Sequence, residues 1–184
     1  MTGLEHKFAG ADLTLDEGFV VSGYASLFGR QDDGGDVVEP GAYRASLDRM
    51  SARGGAVKML WQHDPAQPIG IWDEVREDAT GLWVKGRLLR EVARAAEAAA
   101  LVAAGAIDGL SVGYRTIRAS KAPTGGRRLA EIDLWEVSLV TFPMLKEARV
   151  AAKSDPEGPD LAPLERAMGA ARAAYSKIPS QGER

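Results

Sequence analysis

The sequence predicts an α+β fold in which a β-rich curled sheet or barrel is surrounded by helices. Two observations support this class. Segments rich in β-branched and aromatic residues recur along the chain, each bounded by turn-forming residues. Between them lies an alanine-rich segment, residues 91–104, whose composition strongly favours a helix. At 184 residues the chain is long enough for one such domain and a tail.

The strands are predicted from runs of β-formers and from the turns that separate them. The first run should form an edge strand, the run over 57–62 should place His63 at its end, and the last four runs should pair as two hairpins. In chain order these predicted strands are 1–17, 19–28, 57–62, 69–75, 82–89, 110–117 and 129–140.

Two helices and one loop complete the prediction. The helices are expected over 42–50 and 91–104, with Gly105 as the left-handed cap of the second. Residues 64–68 are predicted to be a loop, because Pro65 and Pro68 cannot donate to a ladder. The composition changes near residue 150, so we predict a domain over 1–150 and a linker with an amphipathic helix over 151–184.

Composition and charge exclude several classes of function. The net charge of -3 and pI of about 5.5 disfavour nucleic-acid binding. The absence of cysteine excludes a thiol nucleophile, disulfides and cysteine-ligated zinc. Two histidines without HExxH spacing argue against a histidine-rich metal site, so no metal or cofactor is expected. No signal peptide or membrane-spanning run is visible, which predicts a soluble intracellular protein.

Three residues are candidates for a hydrolytic site. His63 is the natural base near neutral pH, because imidazole titrates in that range and the other histidine, His6, is expected in a frayed N-terminus. Ser111 lies in a glycine-flanked segment, where a small hydroxyl can meet a ligand. Glu136 places a carboxylate inside an apolar strand. A serine nucleophile needs such a base, and the base needs a third group to orient it.

Each candidate also has an ordinary structural explanation. His63 could bond the following Asp-Pro turn, Ser111 could be a small strand residue, and Glu136 could pair with Arg115. Asp133 is the second choice for the acid, although regular alternation places it on the opposite face from Glu136. The segment GLSVG is not a GxSxG nucleophile elbow, so that motif adds no support.

Four segments resemble the prohead proteases of tailed bacteriophages, a family similar in fold to herpesvirus assemblins. They occur in the family's order over roughly residues 18–150. The segments are GYASLF (23–28) with DVVEPGAY (36–43), LWQHD (60–64) with PIG (68–70), GLSVGY (109–114), and WEVSLVT (135–141) with Pro143.

The resemblance implies a serine endopeptidase with His63 as base, Ser111 as nucleophile and Glu136 as the acid. It implies cleavage of the scaffold segment of the major capsid protein, and of the protease itself, inside the immature capsid in the host cytoplasm. Self-association is compatible with it, whereas nucleic-acid and membrane partners are not expected. The alternatives are a non-catalytic capsid assembly or scaffold protein with the same fold and, less favoured, an esterase.

Overall fold

The computed structural model describes residues 19–123 and 125–142, and the backbone of residues 5–9 and 14–15. Within these ranges, nine strands form one curled half-barrel sheet accompanied by two helices, which confirms the α+β class. The strands are β1 (Glu5–Ala9), β2 (Thr14–Leu15), β3 (Val20–Leu27), β4 (Val37–Val38), β5 (Lys58–Trp61), β6 (Asp64–Glu77), β7 (Gly81–Leu88), β8 (Gly109–Lys121) and β9 (Arg127–Val140). The helices are α1 (Arg44–Ala52) and α2 (Ala93–Ala103).

The order of strands brings distant parts of the chain together on β9. Across the sheet the order is β1-β8-β9-β5-β6-β7-β3-β2, with β4 pairing separately with β9. β8 runs antiparallel to β9, whereas β5 runs parallel to it. Because β5 and β9 run in the same direction, their C-terminal ends lie at the same edge of the sheet. The turn after β5 therefore lies beside the end of β9.

The predicted hairpins are confirmed, whereas the edge strand predicted over 1–17 is two short strands, β1 and β2, at opposite ends of the sheet. β6 pairs with β7 and β8 pairs with β9, each antiparallel and each longer than predicted. β1 lies at one end of the sheet and pairs with β8. Gly105 follows α2 with a φ of +69°, the left-handed conformation predicted for its cap.

The prediction of a loop over 64–68 is wrong, because β6 already begins at Asp64. Its prolines are tolerated for a reason that lies in the pairing. β6 pairs with β7 only from Gly70 onward, and its ladder with β5 is interrupted by register shifts on both sides of Leu60. Pro65 and Pro68 thus lie where few ladder hydrogen bonds are needed.

Alternation along β8 and β9 separates an apolar face from a polar one. Val112 and Tyr114 of β8 and Val137 and Leu139 of β9 belong to the buried core. The intervening residues of both strands, described in the next section, face the other way. The predicted linker and helix over 151–184 lie outside the described residues, and no helix in the described part is long and apolar enough to span a bilayer.

Candidate active site

His63 lies in a strained two-residue turn between β5 and β6. Trp61 pairs with Asp64, which leaves Gln62 and His63 as the turn, with φ of 53° and 62°. Positive φ at both central residues is the pattern of a type I′ turn, in which asparagine and glycine are usual. Neither residue here is of that kind, and such conformations cost on the order of 1–3 kcal/mol each. The surrounding structure must therefore hold this turn in place.

Hydrogen bonds to the end of β9 hold the turn. The Gln62 N–H donates to the Leu139 carbonyl at 2.9 Å, and the Gln62 side-chain amide donates to Thr141 Oγ1 at 2.7 Å. The His63 N–H donates to Ser138 Oγ at 3.1 Å. The parallel pairing of β5 with β9 makes these contacts possible, since it places the turn beside residues 138–141.

The imidazole of His63 is bonded to the carboxylate of Glu136. Nδ1 lies 2.6 Å from Glu136 Oε1, and the two side chains are only 14% and 5% exposed. A neutral imidazole that donates from Nδ1 has its lone pair on Nε2. The pair can therefore present a basic nitrogen directed away from the carboxylate, as general base catalysis requires.

Ser138 connects the acid to the turn, and the sequence analysis missed it. Its hydroxyl donates to Glu136 Oε2 at 2.6 Å and accepts the 3.1 Å bond from the His63 N–H. Ser138 is fully buried, so both bonds are shielded from water. The signal was available: Ser138 is two residues from Glu136, and residues at this spacing share one face of a strand.

Arg115 does not neutralise Glu136, so the ordinary explanation of a Glu136–Arg115 salt bridge is wrong. The Arg115 guanidinium donates instead to Asp133 Oδ2 at 3.2 Å. The hydrogen bonds from His63 and Ser138 satisfy the buried carboxylate in its place.

Gly113 provides the space that the Glu136 carboxylate occupies. The two residues are partners across β8 and β9. A Cβ atom on Gly113 would lie 2.0 Å from Glu136 Oε1 and 2.7 Å from its carboxyl carbon. The Glu136 side chain therefore lies directly over the backbone of β8, and any side chain at residue 113 would displace it.

Ser111 lies on the same face, opposite Ser138. The register of β8 with β9 pairs Ser111 with Ser138 and Gly113 with Glu136. Residues directly opposite in an antiparallel pair have Cβ atoms about 4.5–5.5 Å apart. Ser111 is fully buried. The structure thus places Ser111 next to Ser138, the residue that contacts both His63 and Glu136.

The competing acids are engaged elsewhere. Asp64 accepts hydrogen bonds at 2.8 Å from the Ala66 N–H and from the Gln67 side chain. Asp133 accepts from Arg115, from Arg49 at 3.3 Å and from the Trp135 indole at 3.1 Å. Partial burial acts to raise the pKa of Asp133, but the Trp135 and Arg49 bonds and the nearby arginine charges hold that pKa below its usual value.

The alternation used to separate Asp133 from Glu136 fails at a bulge. The register shifts so that Gly113 pairs with Glu136, whereas the next residue, Tyr114, pairs with Leu134. The additional residue of β9 is Trp135, and it places Asp133 and Glu136 on the same face. Distance along the strand and its other partners, rather than the face, separate Asp133 from the His63 ring.

The described residues contain no group of three or more His, Cys, Asp or Glu side chains arranged to hold a metal ion.

Known proteins resemble this chain in sequence and in fold. Residues 9–157 match the family model of the caudovirus prohead serine protease. The prohead protease of Enterobacteria phage HK97 is 34% identical over 143 residues, which are 76% of this chain and 62% of that protein. The chain thus matches less than two thirds of the HK97 protein's length. The bacteriophage T4 capsid assembly protease gp21 has a similar fold, with a TM-score of 0.60 at 16% identity, covering 76% of this chain and 98% of the T4 chain.

Proposed function

Because this chain belongs to the caudovirus prohead serine protease family, we propose that it is a serine endopeptidase of capsid maturation. Its substrates are the scaffold segment of the major capsid protein and the protease itself, cleaved inside the immature capsid in the host cytoplasm. The observation that carries the proposal is the 2.6 Å bond between His63 and Glu136, made on the face of the sheet that bears Ser111.

The proposed mechanism gives each residue one role. Ser111 Oγ attacks the scissile carbonyl while His63 Nε2 takes the hydroxyl proton, and His63 then gives that proton to the leaving amine. Water, activated by His63 in the same way, hydrolyses the acyl-enzyme and regenerates Ser111. Glu136 holds the imidazole in the required tautomer and stabilises the imidazolium that forms.

Ser138 is a positioning residue in this mechanism. Its hydroxyl fixes the second oxygen of Glu136 and the backbone of the strained His63 turn. It therefore orients the acid and the base relative to each other. Such preorganisation matters because a misplacement of about 1 Å can cost on the order of 100-fold in rate.

The function is tested by incubating the purified full chain with the major capsid protein encoded in the same genome. Mass spectrometry of the products should show a single new terminus at the boundary of the scaffold segment, together with cleavage of the protease chain. Capsid protein that assembles in the presence of the chain, but keeps its full length, would favour the non-catalytic assembly protein.

Replacing Ser138 by alanine should lower kcat by about 10–100-fold and leave KM unchanged. Hydrogen bonds to a charged group contribute about 1.5–3 kcal/mol, and here they orient catalytic groups rather than substrate. Steady-state kinetics on a peptide spanning the cleavage site would measure both constants. The matched control is Ser26→Ala, since Ser26 is an equally buried serine on β3. Equal kinetics for the two variants would contradict the positioning role.

A further inference from the structure

A pocket opens where the end of α1 meets β5 and β9. Its volume is about 370 Å³, and its wall combines cationic side chains with the apolar surfaces of Met50, Leu134 and Trp135. None of the residues that line it takes part in the hydrogen bonds that join His63, Glu136 and Ser138. Its composition is that of a site for a charged group on an otherwise apolar chain.

The unbalanced charge of the pocket is positive. Arg49, Arg53, Lys58 and Asp133 line it. Arg49 and Asp133 form an ion pair at 3.3 Å and so largely neutralise each other. The side chains of Arg53 and Lys58 are exposed and form no hydrogen bond or ion pair with any residue that the structure describes. Two cations are therefore available to a ligand with negative charge.

Trp135 forms a rigid apolar wall beside these cations. The bulge at Trp135 directs its indole outward, where it is 46% exposed. The indole N–H donates to Asp133 Oδ2 at 3.1 Å, and the Arg115 guanidinium lies 5.9 Å from the ring centre. An exposed tryptophan whose orientation is already set can bind a chain with little further loss of side-chain entropy.

The pocket lies close to Ser111 on the same face of the sheet. Lys58 is the partner of Glu136 across β5 and β9, two residues from Ser138. Arg115 and Asp133 are partners four residues along β8 from Ser111. At about 3.3 Å per residue along a strand and about 4.8 Å between strands, the backbones of Lys58, Arg115 and Asp133 lie roughly 12–14 Å from Ser111. Because the long side chains on both sides span part of this distance, an extended peptide covers the rest with two to four residues.

We propose that this pocket is a substrate subsite that binds an acidic side chain two to four residues from the scissile bond. The inference rests on the proposed protease function and adds a determinant of its specificity. Arg53 and Lys58 attract the carboxylate, and Trp135 packs against the aliphatic part of the bound chain. Since both cations are partly solvated, their main effect is on recognition of the substrate rather than on the chemical step.

The test is a cleavage profile with a library of synthetic peptides derived from the capsid protein's cleavage site. The native chain should prefer Asp or Glu at one position between the second and fourth from the cut, on one side. The double variant Arg53→Glu, Lys58→Glu should lower kcat/KM for the acidic peptide by at least about tenfold and favour Lys or Arg there. The double variant should lose much less of its rate on a peptide with a neutral residue at that position than on the acidic peptide.

The matched control is Lys85→Glu with Arg87→Glu on β7, which makes the same change in net charge three strands from β9. It should leave the profile unchanged. A native profile without an acidic preference at these positions, or a preference that the pocket variant retains, overturns the subsite. Neither result contradicts the proposed protease function. That function is contradicted only if the native chain cleaves neither the peptides nor the capsid protein.

Discussion

Replacing Ser111 by alanine should lower cleavage of the capsid protein by about 10⁴–10⁶-fold and leave the fold intact. The variant lacks the oxygen that attacks the carbonyl, whereas the buried methyl group that replaces the hydroxymethyl fits the same space. His63→Ala should have an effect of similar size, because serine, histidine and acid act as one unit. Cleavage by purified variants, followed by mass spectrometry, measures the loss, and circular dichroism checks the fold.

The matched control for Ser111 is Ser120→Ala. Ser120 lies on the same strand, nine residues further along and exposed, so its hydroxyl should be dispensable. Labelling of the native chain with a fluorophosphonate, which reacts with activated serines, should modify Ser111 and no other serine. Capsid cleavage by purified Ser111→Ala at the native rate, or labelling at Ser138 instead, would show that the nucleophile is assigned wrongly.

Replacing Gly113 by alanine should lower kcat by about 10²–10⁴-fold, although residue 113 takes no part in the reaction. The new Cβ would lie 2.0 Å from Glu136 Oε1, so the carboxylate must leave its position beside His63. Loss of the orienting acid reduces kcat by up to about 10⁴-fold in enzymes that use this mechanism. Single-turnover kinetics on the capsid peptide would isolate the chemical step from product release.

The control for Gly113 is its combination with Glu136→Ala. Once the Glu136 side chain is absent, the methyl group has nothing to displace, so Gly113→Ala should cause at most a few-fold further loss. Losses that multiply in the double variant would mean that Gly113 matters for the backbone of β8 rather than for the acid.

Local sequence patterns predicted the hairpins and the alanine-rich helix because these depend on neighbouring residues. The segments 69–75 and 82–89 pair with each other, as do 110–117 and 129–140, and each pair is joined by a short turn. Such a pair can be recognised from one continuous stretch of sequence. The loop expected over 64–68 was wrong because the tolerance of Pro65 and Pro68 depends on which strands flank β6. That is a property of the sheet, which no local window contains.

The candidate site residues were chosen from the sequence by the chemistry of their side chains, and the structure shows which groups surround each of them. Glu136 was conspicuous as a charge in an apolar strand, and His63 was the favoured histidine in a chain that has two. The bulge at Trp135 and the space above Gly113 could not be read from spacing, and the spacing of Ser138 from Glu136 indicated only a shared face, not its bonds to the carboxylate and to the His63 N–H. A bulge moves one residue of β9 relative to β8, and this changes which side chains share a face.

The sequence by itself determined the chemical groups that are available: one well-placed imidazole, a glycine-flanked hydroxyl, an acid among apolar neighbours, and no thiol. Only the tertiary structure decided their partners, because parallel pairing of β5 with β9 brings a turn at residue 63 against residues 136–141. The physical reason is that a carboxylate can be buried at low cost only where donors already surround it. One donor, His63, lies 73 residues from Glu136 along the chain. The other donor, Ser138, lies two residues further along β9.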